Sequence, residues 1–249
     1  MRAPDWLTAR PIAHRGLHDA ARGIIENTPS SCAAAAAAGF GIEVDLQRTS
    51  DGEAMVHHDH NLGRLNDGTG ELRDLTAAQL RNTPFRNSAD RMMTLGDLCD
   101  LVAGRVPLVL EIKSLFDGDR VLVERTAEVL SGYRGPVVAM SFDPDQLMAI
   151  QSFMPSIPRG IVAERSYDNA YWNDLSAAQK HDMLHLRHGF RTRPHFVAYS
   201  VNDLPSPAPW IARNVFGCAL LTWTVRNAEQ RACAKRWADQ MIFEGFVPE

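Results

Sequence analysis

Three carboxylates, two histidines and two cations of this sequence stand where strands would end. Glu43 and Asp45 lie in "IEVDLQ", Glu111 and Lys113 in "LEIKS", His14 and Arg15 in "IAHRG", and His58 in "MVHHDH". Side chains alternate along a strand, so Glu43 shares a face with Asp45, and Glu111 shares one with Lys113. Three carboxylates converging in a partly dry site repel one another and raise at least one pKa. A divalent cation relieves that repulsion. All-oxygen ligation suits Mg²⁺ or Ca²⁺, with Mn²⁺ a third choice, whereas zinc usually draws on His or Cys. Arg15 and Lys113 leave positive charge beside the ion, matched to an anionic group of which phosphate is the obvious candidate. His14 and His58 supply groups whose unperturbed pKa suits proton transfer near neutrality. Glu43, Asp45 and Glu111 are therefore candidate metal ligands, His14 and His58 candidate acid/base catalysts, and Arg15 and Lys113 candidate phosphate ligands. Together they describe phosphoryl-ester chemistry.

Such a set needs strands whose ends meet. Short apolar runs at 11–15, 41–46, 107–113, 136–142, Arg159–Ala163, 196–201, Ala219–Val225 and 241–246 alternate with helical stretches. The helices are expected at Pro29–Ala38, 94–104, 119–131, 143–153, 176–188 and 227–239, the first with an alanine run and Gly39 as its stop. Eight strands alternating with helices predict an α/β fold, a closed (β/α)8 TIM-type barrel rather than an open doubly wound sheet, over residues 1–249 as one domain. In a barrel the C-terminal strand ends converge on one mouth. One stretch breaks the alternation. Asp51-Gly52 is a tight-turn signal, and too few residues follow it for a parallel crossover. A short β-hairpin excursion after the second strand is expected, bringing His57 and His58 level with Val44 and Asp45.

The chain of 249 residues is 45% apolar with a net charge of −4, and no basic run suggests a polyanion groove; nucleic-acid binding is not expected. No 18-residue apolar run and no signal-peptide pattern are present, so a cytoplasmic location without stable membrane insertion is expected. The four cysteines lie far apart and read as buried thiols. Asn27 either lines the site or caps the helix that Pro29 opens. Trp223 is a candidate floor for a substrate pocket. In "HDMLHLRH", His181, His185 and His188 share a helical face, more in keeping with an amphipathic helix than with a metal ladder. Tyr167, Tyr171 and Trp172 fall in a loop on the strand-end side.

Taken together, "HRG" (14–16), "ENT" (26–28), "EVDLQRTSDG" (43–52), "HD" (58–59), "LEIKS" (110–114), "SF" (141–142) and "WTV" (223–225) resemble the glycerophosphodiester phosphodiesterase family. Their order and spacing agree over nearly the whole chain. The resemblance implies a TIM-type barrel, a divalent metal and hydrolysis of a small-molecule glycerophosphodiester to an alcohol and glycerol 3-phosphate. It implies the same roles for Glu43, Asp45, Glu111, His14, His58, Arg15 and Lys113, and adds no residue to that set. The chain departs from the family pattern at Arg64-Leu65-Asn66, where two threonines usually follow the arginine. It departs again at Phe243-Glu244, where Thr-Asp or Thr-Asn is usual. These changes bear on alcohol specificity more than on phosphoryl chemistry. The stretch before the third strand leaves little room for a substantial cap. Two alternatives stand beside the main reading: phospholipase D-like hydrolysis of lysophospholipids, and a barrel that binds phosphate esters without catalysis.

Overall fold

The structure, a computed structural model, describes residues 2–248. In chain order the strands are β1 (Ile12–His14), β2 (Gly41–Arg48), β3 (Ala54–Val56), β4 (Leu108–Ile112), β5 (Val137–Ser141), β6 (Arg159–Ala163), β7 (Phe196–Ser200), β8 (Ala219–Val225) and β9 (Gln240–Phe243). All but β3 pair in parallel in the order β1-β9-β8-β7-β6-β5-β4-β2, and the β1–β2 pairing closes the ring. This is the expected eight-stranded barrel. β3 lies outside it, antiparallel on β2 with Leu46 opposite Val56 and Arg48 opposite Ala54. The turn between them carries Gly52 at φ 79°, as the Asp51-Gly52 pair predicts.

The period of two decides what each strand shows to either side. Ile42, Val44 and Leu46 of β2 and Leu108, Leu110 and Ile112 of β4 point outward into the main core under the helices. Ile12, Val109, Val138, Val162, Phe196, Leu221 and Ile242 point inward and fill the barrel, which Leu7 and Trp6 of the N-terminal turn plug from below. Gly160 makes room for this packing: a Cβ there would sit 2.2 Å from the Phe196 ring. Continuing each inward row towards the C-terminal strand ends replaces apolar residues by charged ones. Ile12 gives way to His14, Gly41 to Glu43 and Asp45, and Val109 to Glu111. The barrel is dry below and polar at its mouth.

The helices are α1 (Pro29–Ala38), α2 (Ala77–Arg81), α3 (Leu95–Val102), α4 (Val121–Ser131), α5 (Pro144–Phe153), α6 (Ala177–Leu184), α7 (Gly189–Thr192), α8 (Pro207–Asn214) and α9 (Ala228–Trp237). α1 starts on a capping box between Thr28 and Ser31 with Pro29 in its first turn, and stops at Gly39 in the left-handed conformation. α8 was not foreseen. Its prolines Pro207 and Pro209 sit in the first turn, where no intrahelical N–H is required of them. The expected helix over 176–188 instead ends at Leu184 and restarts as α7. His181 and His185 therefore stay together, rings 4.5 Å apart, while His188 is buried past the break. Between β3 and β4 there is no large cap, but Ile25, Met55, Leu62, Leu72, Leu80, Phe85 and Met92 form a small separate core. The cysteines are free thiols, three of them buried. Among the described residues no helix is long and apolar enough to cross a membrane.

Candidate active site

Parallel pairing in register brings the carboxylates together. His14 lies beside Glu43 on β1 and β2, and Asp45 lies beside Glu111 on β2 and β4. One oxygen from each of Glu43, Asp45 and Glu111 falls within 4.8 Å of the others, and all three side chains are buried. The Lys113 ammonium sits 2.8 Å from Asp45 and also bonds Glu111. Arg15 donates its backbone N–H to Glu43 at 3.0 Å, and its Nε lies 3.2 Å from Asp45. Burial pushes the Glu43 carboxyl well above the usual carboxylate range. Asp45 and Glu111 add to the rise, and Arg15 and Lys113 offset only part of it. Burial acts on Asp45 in the same sense, but Lys113 and Arg15 reverse it and hold that carboxyl well below its ordinary value. One buried carboxylate of the three is thus short of positive charge. A buried all-oxygen donor set short of positive charge fits a hard divalent cation.

The backbone supports this convergence. Arg15 and Asn27 both adopt left-handed conformations, φ 56° and 58°, and the Asn27 N–H donates to the Arg15 carbonyl. Gly16 follows at φ 79°, and a Cβ there would lie 2.6 Å from Ser31 Oγ and 2.7 Å from the Ser31 carbonyl carbon. The strand therefore ends on His-Arg-Gly because the chain must reverse against the start of α1 while both side chains stay at the mouth. Thr28, not Asn27, caps α1. Asn27 is buried, donates its amide to Asp45 at 2.9 Å and accepts the Asp45 N–H at 3.3 Å. It enters the site through Asp45.

Each histidine has its Nδ1 on a carboxylate. His14 Nδ1 bonds Glu244, and His58 Nδ1 lies 2.8 Å from Asp59. Burial lowers the His14 pKa to about 4 despite the Glu244 contact, so the ring carries one proton at neutrality. Glu244 is held well below the carboxylate range: its burial is outweighed by the hydrogen bond from His14 and by the His18 imidazole 3.7 Å away. It is thus an acceptor only, which places the His14 proton on Nδ1. Nε2 is left free, 3.9 Å from Glu43. Asp59 is likewise ionised, its burial outweighed by His58 and Arg64, and with Nδ1 on Asp59 the His58 ring keeps Nε2 for other partners. Gln47 fixes the His58 backbone by donating to its carbonyl at 2.7 Å. The hairpin puts His57 N–H on the Asp45 carbonyl, so the expected level is the observed one, with His57 itself buried.

Aromatic side chains line the other side of the mouth. Trp223 is half-buried, donates its indole N–H to the Ala198 carbonyl and packs edge-on against Phe142. Phe142 in turn meets Trp172, which is buried with Tyr167, whereas Tyr171 is half exposed and stacks on His60. A cleft of about 260 Å³ opens beside Lys113, lined by Arg48, His60, Arg73 and Asp117 among others. The sequence reading did not assign roles to Glu244, Asp59 or Glu26. For Asp59 and Glu26 the signal was present in "HD" and "ENT". Glu244 stood out only as a departure from the usual final strand.

The family model described as the glycerophosphoryl diester phosphodiesterase family matches residues 14–247. The Homo sapiens glycerophosphodiester phosphodiesterase 1 is 47% identical over 72 residues, covering 28% of this chain and 20% of that protein. A glycerophosphodiester phosphodiesterase of Caldanaerobacter subterraneus is 28% identical over 163 residues, covering 61% of this chain and 65% of that one. The chain thus spans about a fifth and somewhat under two thirds of these two relatives. Among solved structures, an Oleispira antarctica phosphodiesterase in complex with the product sn-glycerol-3-phosphate shares the fold with a TM-score of 0.76 at 19% identity, covering 94% of this chain and 91% of that one. A Thermotoga maritima glycerophosphodiester phosphodiesterase shares it at 0.69 and 21% identity, covering 93% and 92%.

Proposed function

The chain belongs to the glycerophosphoryl diester phosphodiesterase family, and from that premise we propose that it hydrolyses glycerophosphodiesters to an alcohol and glycerol 3-phosphate. The observation that carries this reading is the buried triad of Glu43, Asp45 and Glu111 flanked by Arg15, Lys113 and two histidines with free Nε2 atoms. Glu43, Asp45 and Glu111 are the residues that would hold a divalent cation, Mg²⁺ or Ca²⁺ by donor type. When bound there, such an ion supplies a Lewis acid for a phosphoryl oxygen and offsets the charge that builds on it. Arg15 and Lys113 orient the phosphodiester and neutralise its charge. One histidine accepts the proton of the attacking hydroxyl on its free Nε2, and the other, entering the step as an imidazolium with a second proton on Nε2, gives that proton to the departing alkoxide as the P–O bond breaks. Asp59 and Glu244 engage the two Nδ1 atoms and so turn both Nε2 atoms over to this exchange. Trp223 and Phe142 offer an apolar wall for the glycerol carbons.

The test is a panel of glycerophosphocholine, glycerophosphoethanolamine, glycerophosphoglycerol and a lysophospholipid, with chelator and with each of Mg²⁺, Ca²⁺ and Mn²⁺. Release of glycerol 3-phosphate from the water-soluble diesters, lost with chelator and restored by a divalent ion, is the expected result. Turnover of the lysolipid alone points to the phospholipase D-like activity instead. Binding without turnover under every condition refutes catalysis.

A further inference from the structure

Arg64 lies outside every role assigned above, yet it touches two charged groups that serve different halves of the site. Its Nη2 is 2.6 Å from Glu26 Oε1 and its Nη1 3.2 Å from Glu26 Oε2. Its Nε contacts Asp59 Oδ2, and Nη2 is 3.2 Å from Asp59 Oδ1. Glu26 Oε1 also takes Arg15 Nη1 at 2.7 Å, and Asp59 Oδ1 takes His58 Nδ1 at 2.8 Å. The result is a chain of alternating charge, Arg15–Glu26–Arg64–Asp59–His58, running from the phosphate-facing cation to a proton-carrying imidazole. Arg64 is its middle link. Its side chain is 46% exposed, whereas Glu26 and Arg15 are 14% and 16% exposed. Isolated half-exposed ion pairs contribute little to stability, and a bidentate bridge within a charge network is the exception. Only a guanidinium has the planar fork to meet two carboxylates, each through two contacts; an ammonium is a single point charge. Both carboxylates respond to it. Arg64 and Arg15 outweigh the burial of Glu26 and hold it down to about 2, and His58 and Arg64 outweigh the burial of Asp59 and hold it well below the usual carboxylate range.

We propose that Arg64 is a positioning residue: by fixing Glu26 and Asp59 in one geometry it holds the Arg15 guanidinium and the His58 Nε2 in register on the same phosphoryl group. The proposal rests on the phosphodiesterase reading. It makes Arg64 act through two residues in different parts of the mouth, so its loss disturbs anion binding and proton transfer together.

The experiment compares Arg64→Ala and Arg64→Lys with the wild type, using the metal-supplemented full chain and glycerophosphoethanolamine. A positioned acid–base group contributes about 10²–10⁴-fold, and loosening one should cost a part of that, about 10–100-fold. Arg64→Ala should lose about that factor in kcat with a smaller rise in KM, and Arg64→Lys should fall between. Millimolar guanidinium should restore part of the Arg64→Ala activity, because the site is open to solvent, while sodium chloride of equal ionic strength should not. Nitrogen-15 NMR of the His58 ring should show one tautomer in the wild type and a mixture in Arg64→Ala. That readout needs no turnover, so it still tests the proposal if the wild type fails to hydrolyse glycerophosphodiesters. Activity within twofold of wild type with an unchanged His58 ring overturns the proposal. So does a loss that guanidinium leaves untouched while Tm drops, which would make Arg64 a brace of its loop.

Discussion

Replacing Glu43 by glutamine should reverse the order of stability of variant and wild type according to whether a divalent cation is present. The carboxylates of the triad lie within 4.8 Å of one another, and at that distance each pair repels by about 3.5 kcal/mol at an effective dielectric of about 20. Glu43 feels two such repulsions. Its attraction to Arg15 and Lys113 cancels most of them, leaving a net penalty on the order of 1–2 kcal/mol in the chelated protein. Glutamine keeps the side-chain oxygen that accepts the Arg15 N–H and removes the charge. In EDTA, Glu43→Gln should therefore melt about 2–8 °C above the wild type, at roughly 2–4 °C per kcal/mol for a chain of this size. Adding a divalent ion at about a hundred times its dissociation constant stabilises whatever binds it by about 2.7 kcal/mol. That raises the wild type by about 5–11 °C, and the variant, short of one ligand, much less. The melting curves should cross. Differential scanning fluorimetry with EDTA and with Mg²⁺ or Ca²⁺ measures both halves. If Glu43→Gln is the less stable protein by the same margin in both conditions, Glu43 is an ordinary structural acceptor and the metal reading of the triad is wrong.

Replacing His14 or His58 by alanine should cut kcat by about 10²–10⁴ while the metal-induced rise in Tm persists. The two losses should not multiply in the double variant, and a nitrophenyl leaving group should restore only the variant lacking the general acid. Glu26→Gln gives a pH signature. Glu26 is held to about 2 against an ordinary 4.5, so its contribution to stability is complete above pH 4.5 and fades as pH falls through 2. The gap in urea midpoint between wild type and Glu26→Gln should narrow from pH 5 to pH 2; a gap independent of pH contradicts the ion-pair account. Gly16→Ala should cost about 1–3 kcal/mol, since it forces a Cβ into Ser31 at a left-handed φ. It should also lower activity beyond what stability explains, by shifting His14 and Arg15; full kcat in a destabilised protein would separate the turn from the site.

Much of the candidate site was legible because its signals are local. Glu43 with Asp45, and Glu111 with Lys113, are spaced by two, and that spacing alone puts each pair on one face of a strand. The hairpin followed from Asp51-Gly52 and the shortness of the connection. The α1 boundaries followed from Pro29 and Gly39, although the cap is Thr28 and not Asn27. One local signal misled: the histidines of "HDMLHLRH" implied a longer helix than the structure builds. α8 carried no signal that was used. Composition shows residue preferences but not which turn of a helix a proline will occupy. Nor does it show where tertiary packing, here the burial of Leu186 and His188, stops a helix.

The sequence by itself determined the α/β alternation, the inward and outward faces of each strand, and the kind of chemistry present at the strand ends. These depend on periods of two and 3.6 residues, which the chain carries wherever it goes. The tertiary structure decided which ends meet. Closing β1 between β9 and β2 brings Glu244 onto His14 across 230 residues of chain. Folding 57–94 over its own small core brings Arg64 across to Glu26. Burying the triad at the mouth turns Glu43 from an ordinary carboxylate into one short of a counter-charge. Register, closure and dielectric are properties of the folded barrel, and no window of sequence contains them.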